Sequence, residues 1–95
     1  LEDKVPVIDC KEFTLYFEEV NKNVFLHCDV KVKWSKKVKT KLTDGLNILK
    51  DKFDMFVCLD LENKKLRKFI DLLGFSYLKS IIGNDNKDYD IYVWR

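Results

Sequence analysis

The chain has few residues that break or redirect a backbone. Three glycines and one proline in 95 residues leave little for long loops, flexible linkers or low-complexity tracts. Histidine occurs once and cysteine three times, at Cys10, Cys28 and Cys58, so no ligand pair has zinc spacing and no metal site is expected. An odd number of distant cysteines in apolar, strand-like surroundings also argues against a disulfide framework and for buried free thiols. With His27 as the lone imidazole, a Ser-His-Asp arrangement has no support. Long apolar runs are missing and Leu1-Glu2-Asp3-Lys4 carries acids, so nothing here resembles a helical membrane span or an export signal, and neither is expected. The expectation is a cytoplasmic protein with no membrane partner.

What the chain does have is a core. Hydrophobic residues make up 46% and aromatics 14%, enough for one domain over 1–95 and too much for intrinsic disorder. The net charge of +2 is unevenly distributed. Lys31, Lys33, Lys36, Lys37, Lys39 and Lys41 fall in eleven residues without an acid, and removing that +6 leaves the other 84 residues at −4.

Phe13, Leu15 and Phe17 alternate with Thr14, Tyr16 and Glu18, and after Asn21-Lys22-Asn23 the alternation resumes at Val24, Leu26, Cys28, Val30 and Val32. Period two on both sides of a polar turn predicts an antiparallel hairpin, with Phe25, His27, Asp29, Lys31 and Lys33 turned away from the core. Residues 1–11 form a leading segment in which Val5-Pro6-Val7-Ile8 reads as a short edge strand, where proline is tolerated. From Ser35, an N-cap candidate, Val38, Leu42, Leu46, Leu49 and Phe53 recur at helical spacing and predict a helix of about five turns. The unbroken run Met55 to Leu59 predicts a central strand covered on both faces. Asn63 opens a second helix that Gly74 closes, and strands at Ser76 to Ile82 and Tyr89 to Trp94 flank a turn at Gly83 to Lys87. The expected fold class is α/β (α+β), in the order β-β-α-β-α-β-β, as a mixed sheet with two helices packed on it.

That order resembles the C-terminal half of the GNAT acyltransferase superfamily over roughly residues 12 to 95. The resemblance rests on Asn63, Leu66, Gly74 and Phe75, with Phe69 standing where the family usually has tyrosine. It implies that acetyl-CoA lies where two neighbouring parallel strands splay apart, its pyrophosphate on backbone amides at the start of the long helix, an anion site by its free amides and dipole. On that register the implied cofactor-binding residues are Val30, Val32, Trp34, Ser35, Lys36, Lys37, Val38, Lys39, Asn63 and Phe69. Both family glycines become Lys37 and Lys39, and the usual arginine or glutamine becomes Trp34. The lysines supply the charge that glycine-cradled amides normally provide, obstruct the ligand, or form a solvated face, the usual fate of a charge run. Six lysines at a helix start oppose the macrodipole, which favours an anionic partner.

Acetyl transfer to an amine needs a proton acceptor and a donor for the departing thiolate. Phe69 has no hydroxyl. Tyr77 and Tyr16 are the substitutes for the donor, and Asp29, His27, Glu18 and Glu19 are the candidates for the base. Only eleven residues precede the hairpin, so the expectation is that a second copy or another protein supplies the acceptor wall. Self-association through the edge strand or through Tyr89, Tyr92 and Trp94 is one route. Lysine-rich usage with frequent asparagine and isoleucine fits an AT-rich genome, as in many bacteriophages. Three functions follow: a short phage-type acetyltransferase acting on a protein or small molecule; a catalytically silent pseudoenzyme binding a partner protein in the host cytoplasm or virion; and, less favoured by the scarcity of arginine, a nucleic-acid binder using Lys31 to Lys41 with Trp34 as a stacking platform.

Overall fold

A computed structural model describes residues 4–95, so the first three positions of the leading segment lie outside the described residues. The elements are β1 (Val5–Asp9), β2 (Phe13–Val20), β3 (Asn23–Val30), α1 (Lys36–Leu49), β4 (Met55–Asp60), α2 (Lys64–Leu73), β5 (Ser76–Ile82) and β6 (Asp88–Trp94). The strands form one mixed six-stranded sheet in the order β1-β2-β3-β4-β6-β5. This is the α+β sheet with two helices that the patterning predicts, with β1 as the leading edge strand.

Local chemistry accounts for most boundaries. The hairpin turn is tighter than expected: Asn21 and Lys22 alone make it, with φ of 52° and 69°, a two-residue turn whose positive φ values match the strand twist. Proline in β1 sits at the sheet edge and next to a register irregularity between Pro6 and Ile8, both of which blunt that edge. Ser35 caps α1 by accepting from the Val38 amide at 3.3 Å, and Asn63 caps α2 through Oδ1 and the Leu66 amide at 3.0 Å. Gly74 ends α2 at φ 85°, the left-handed C-terminal conformation that glycine adopts without a Cβ penalty.

Both helices cover the same face of the sheet. Val38, Leu42 and Leu46 of α1 and Ile70 and Leu73 of α2 belong to one buried cluster with Phe13, Leu15, Leu26, Met55, Val57 and Leu59. Gly45 lets α1 approach β1, since a Cβ there would meet Ile8 Cδ1 at 3.0 Å.

Five expectations need correction. The central strand is not covered on both faces: Met55, Val57 and Leu59 are buried, but the alternate Phe56 and Asp60 are half-buried and Cys58 is exposed. All three thiols are free, yet only Cys10 and Cys28 are partly covered. The long helix stops at Leu49; Phe53 lies beyond it, with its ring edge-on to Phe17 at 5.1 Å between centroids. Val32 falls after β3 rather than within the alternation. Finally, Tyr92 and Trp94 are buried, because β6 is an interior strand between β4 and β5 and not an exposed edge. The Trp94 indole donates to Asn47 Oδ1 at 3.2 Å. The exposed apolar side chains lie elsewhere, Tyr77 and Ile82 of the edge strand β5 at 57% and 72% exposure and Ile48 of α1 at 73% among them.

Candidate functional site

The feature that creates a site is a split in the sheet. The parallel neighbours β3 and β4 pair over only two positions, Val24 with Met55 and Phe25 with Phe56. Beyond that rung the two strands have no paired residues, while β3 stays paired with β2 through Val30 and β4 stays paired with β6 along its length. The β4-facing backbone groups of Leu26 to Val30 therefore lack ladder partners among the described residues, leaving donors and acceptors that need a partner when water is excluded. The Phe25 and Phe56 rings, 6.0 Å apart and tilted by 45°, close the narrow end.

A cleft of about 930 Å³ occupies the split. Its lining comes from both sides of the sheet. Leu26, Cys28, Val30, Val57, Leu66 and Phe69 supply an apolar wall on the helix side. On the other side stand Tyr16, Glu18, Phe25, His27 and Asp29 of the hairpin, facing Cys58 and Ile91 across the gap. Strand pairing explains the polar group: Tyr16 is registered opposite His27, Glu18 opposite Phe25 and Thr14 opposite Asp29, so these side chains share one face.

Within it, His27 Nε2 is 2.7 Å from Glu18 Oε1, a bond that joins a 36%-exposed ring to a 31%-exposed carboxylate. A carboxylate can only accept, so Nε2 carries the hydrogen toward Glu18 and a neutral ring leaves Nδ1 as its basic atom. His27 lies two residues past the last rung between β3 and β4 and on the same face as Phe25, which sets the imidazole at the mouth of the split. Burial, reinforced by the Asp29 and Cys10 charges, pushes the Cys28 thiol up to about 12 and keeps it protonated near neutral pH, while partial burial raises the exposed Cys58 as well.

A smaller cavity of about 300 Å³ adjoins this cleft and shares Val30, Lys65 and Phe69 with it. Trp34 and Phe69 meet edge-to-face there, with centroids 6.2 Å apart, and Lys68 and Leu72 complete its outer rim.

Of the residues singled out in the sequence, Tyr16, Glu18, His27, Asp29, Val30, Asn63, Leu66 and Phe69 line the main cleft and Val32 and Trp34 line the smaller one. The others lie elsewhere. Ser35 spends its hydroxyl on the cap, Val38 is a core residue, and the exposed Lys36, Lys37 and Lys39 line neither cavity. Tyr77 is on β5, hydrogen-bonded to Ser80 and packed on Tyr92, away from the cleft lining, whereas Tyr16 is within it.

The lysine cluster is also partly committed to the fold. Lys31 Nζ donates to Asp9 Oδ1 and to the Cys10 carbonyl, both at 2.8 Å, and Lys41 Nζ donates to Glu12 Oε1 at 2.8 Å. These bonds hold the Asp9 and Glu12 carboxyls below their ordinary values and raise both lysines. The acid-free stretch thus finds two of its anions in the chain itself. Lys65 and Lys68 escaped the sequence reading; their signal is the spacing of three, with Leu72 four further on, which puts all three on one side of α2.

No group of three or more His, Cys, Asp or Glu suited to a metal ion occurs among the described residues, and no helix there is long and apolar enough to cross a membrane. No family model, curated protein or solved structure matches the chain.

Proposed function

We propose that the chain is a GNAT-like acyltransferase that holds the extended arm of acetyl-CoA in the split between β3 and β4 and acetylates an amine. One observation carries this reading: adjacent parallel strands separate after a two-residue rung and leave an apolar cleft edged by unpaired backbone groups. An amide-bearing chain of pantetheine type fits such an edge, because its own amides can complete the ladder of Leu26 to Val30.

The chain's part in the reaction follows from the hairpin face. The bound thioester supplies an activated acyl carbon, whose C–S bond breaks as the bond to the amine nitrogen forms. His27 Nδ1 takes the proton released by that nitrogen, and Glu18 stabilises the resulting imidazolium through Nε2. The Tyr16 hydroxyl, which shares the face with His27, gives its proton to the departing sulfur and regains one from solvent. This arrangement gives Tyr16 the task for which Phe69 has no hydroxyl. Asp29 and Glu18 add negative charge that attracts a cationic acceptor.

The test is calorimetry with acetyl-CoA, followed by a transfer assay with spermidine and with a lysine peptide. Binding that survives His27→Asn while transfer falls by about 10²- to 10⁴-fold supports the reading. No heat at millimolar acetyl-CoA removes it. In that event the silent, partner-binding module is the better account, for which Phe69 and the absence of glycines at the start of α1 already speak.

A further inference from the structure

We infer that the small cavity, which shares Lys65 and Phe69 with the adjoining cleft, binds an aromatic anion: a flat ring against Trp34 and Phe69, with its phosphate or carboxylate held by Lys65 and Lys68. The inference goes beyond the transferase reading and does not depend on it.

The walls are apolar and include two side chains left open to solvent, Val32 at 38% and Leu72 at 37% exposure. Trp34 and Phe69, in edge-to-face contact, present aromatic surface to a third ring. The volume of about 300 Å³ lies at the small end of ligand pockets, the size of one ring system and not of an extended molecule.

The charge at the rim is of one sign. Lys65 and Lys68 line the cavity and no acidic side chain does. Among the described residues neither lysine forms an ion pair, whereas Lys31, Lys41 and Lys87 pair with Asp9, Glu12 and Asp60. Three residues apart on α2, the two ammonium groups are neighbours and repel each other. They also lie in the N-terminal half of a helix whose first turn holds no acid, where positive charge opposes the macrodipole. For the helix alone the pair is unfavourable, and an anion placed between them reverses both effects. A ring without charge leaves the lysines unanswered, and an anion without a ring leaves Val32 and Leu72 exposed. The combination answers both.

Two sources of this chemistry are separable: a nucleoside monophosphate and an aryl carboxylate. The protein has two tryptophans, so its ¹H–¹⁵N spectrum holds two indole signals, one from Trp34 and one from the buried Trp94. The full chain is titrated with adenosine 5′-monophosphate and with phenylacetate, alongside adenosine and inorganic phosphate. At least one aromatic anion should shift the Trp34 indole and leave Trp94 in position, with the uncharged ring and the free phosphate binding at least tenfold more weakly. The anion with the larger affinity identifies the source. Lys65→Glu with Lys68→Glu should abolish the shift without lowering the melting temperature, since both positions are exposed and the change favours the helix. Three results overturn the site: neither aromatic anion moves the Trp34 signal at millimolar concentration, phosphate alone moves it equally, or the charge-reversed protein responds as the parent does. Acetyl-CoA in the same series separates the two readings: shifts in the β3–β4 cleft without any response to the aromatic anions leave the transferase standing and sink this site, and the converse sinks the transferase alone.

Discussion

Asn63 does two things that a pair of substitutions can separate. Its side chain accepts the Leu66 amide at 3.0 Å as the N-cap of α2, and it lines the cleft. Replacing it with alanine removes the cap bond without opening a core cavity, because the residue is exposed. The loss of an N-cap costs about 1 kcal/mol, which for a domain of this size lowers the melting temperature by about 4–8 °C. Asn63→Asp keeps an oxygen where the Leu66 amide needs one and adds negative charge to a helix start that has Lys64 and Lys65 but no acid. That charge is worth about 0.3–1 kcal/mol in the favourable direction, so the aspartate protein should melt at or a few degrees above the parent. Thermal unfolding followed by circular dichroism at pH 7 and low salt measures both. If the aspartate variant melts as low as the alanine variant, the cap is not what Asn63 contributes to stability. With the fold intact in Asn63→Asp, a fall in acetyl-CoA affinity reports on the cleft side of Asn63, through the lost amide NH₂ and the charge added against an anionic ligand together.

Other perturbations test other links. Gly74→Ala should destabilise by about 1–2 kcal/mol through its left-handed φ alone, since an added Cβ meets nothing within 4 Å; an unchanged melt contradicts that assignment. Iodoacetamide at pH 8 should alkylate the exposed Cys58 before Cys28, whose thiol is pushed up to about 12 and stays protonated there; peptide mapping that finds Cys28 modified first refutes its burial. The Asp9 and Glu12 carboxyls have folded-state pKa values below their unfolded ones, so their contribution is complete above the ordinary carboxylate range and is lost as pH falls through the depressed values. Protection of the β1 and β2 amides, measured relative to their intrinsic exchange rates, should therefore fall on acidification below about pH 4, and Lys31→Met with Lys41→Met should remove part of that dependence.

The elements were legible because their signals are local. Alternation over residues 13–30, the caps at Ser35 and Asn63, and Gly74 at the end of α2 are decided within a few residues of chain. The errors arise where the deciding contact is distant. Phe53 continues the helical spacing, and its amide still reaches the Leu49 carbonyl at 3.1 Å, yet the chain has left the helix and the ring closes on Phe17. Met55 to Leu59 reads as covered on both faces because Phe56 and Cys58 are apolar, and composition cannot say that both helices cross the same face. Tyr92 and Trp94 resemble a sticky terminus until β5 is seen to take the edge.

For the candidate site, alternation and pairing put Glu18, His27 and Asp29 on one face of the hairpin, and the structure shows that face lining the cleft. The candidate Tyr77 lies away from the cleft and Tyr16 lines it, a difference that depends on which strands flank the split and leaves no local pattern. The lysine count was misleading for a related reason: Asp9 and Glu12, distant in sequence, pair with Lys31 and Lys41. The cationic rim of the small cavity comes instead from α2.

The central claim is that the split between β3 and β4 receives the arm of acetyl-CoA. Chemical-shift mapping of the ¹⁵N-labelled protein with acetyl-CoA tests it directly. The account predicts shifts concentrated at Leu26 to Val30, Val57, Cys58 and Asn63 to Phe69, with β1 unmoved. A spectrum unchanged at millimolar ligand, or shifts confined to the exposed lysines of α1, would contradict it.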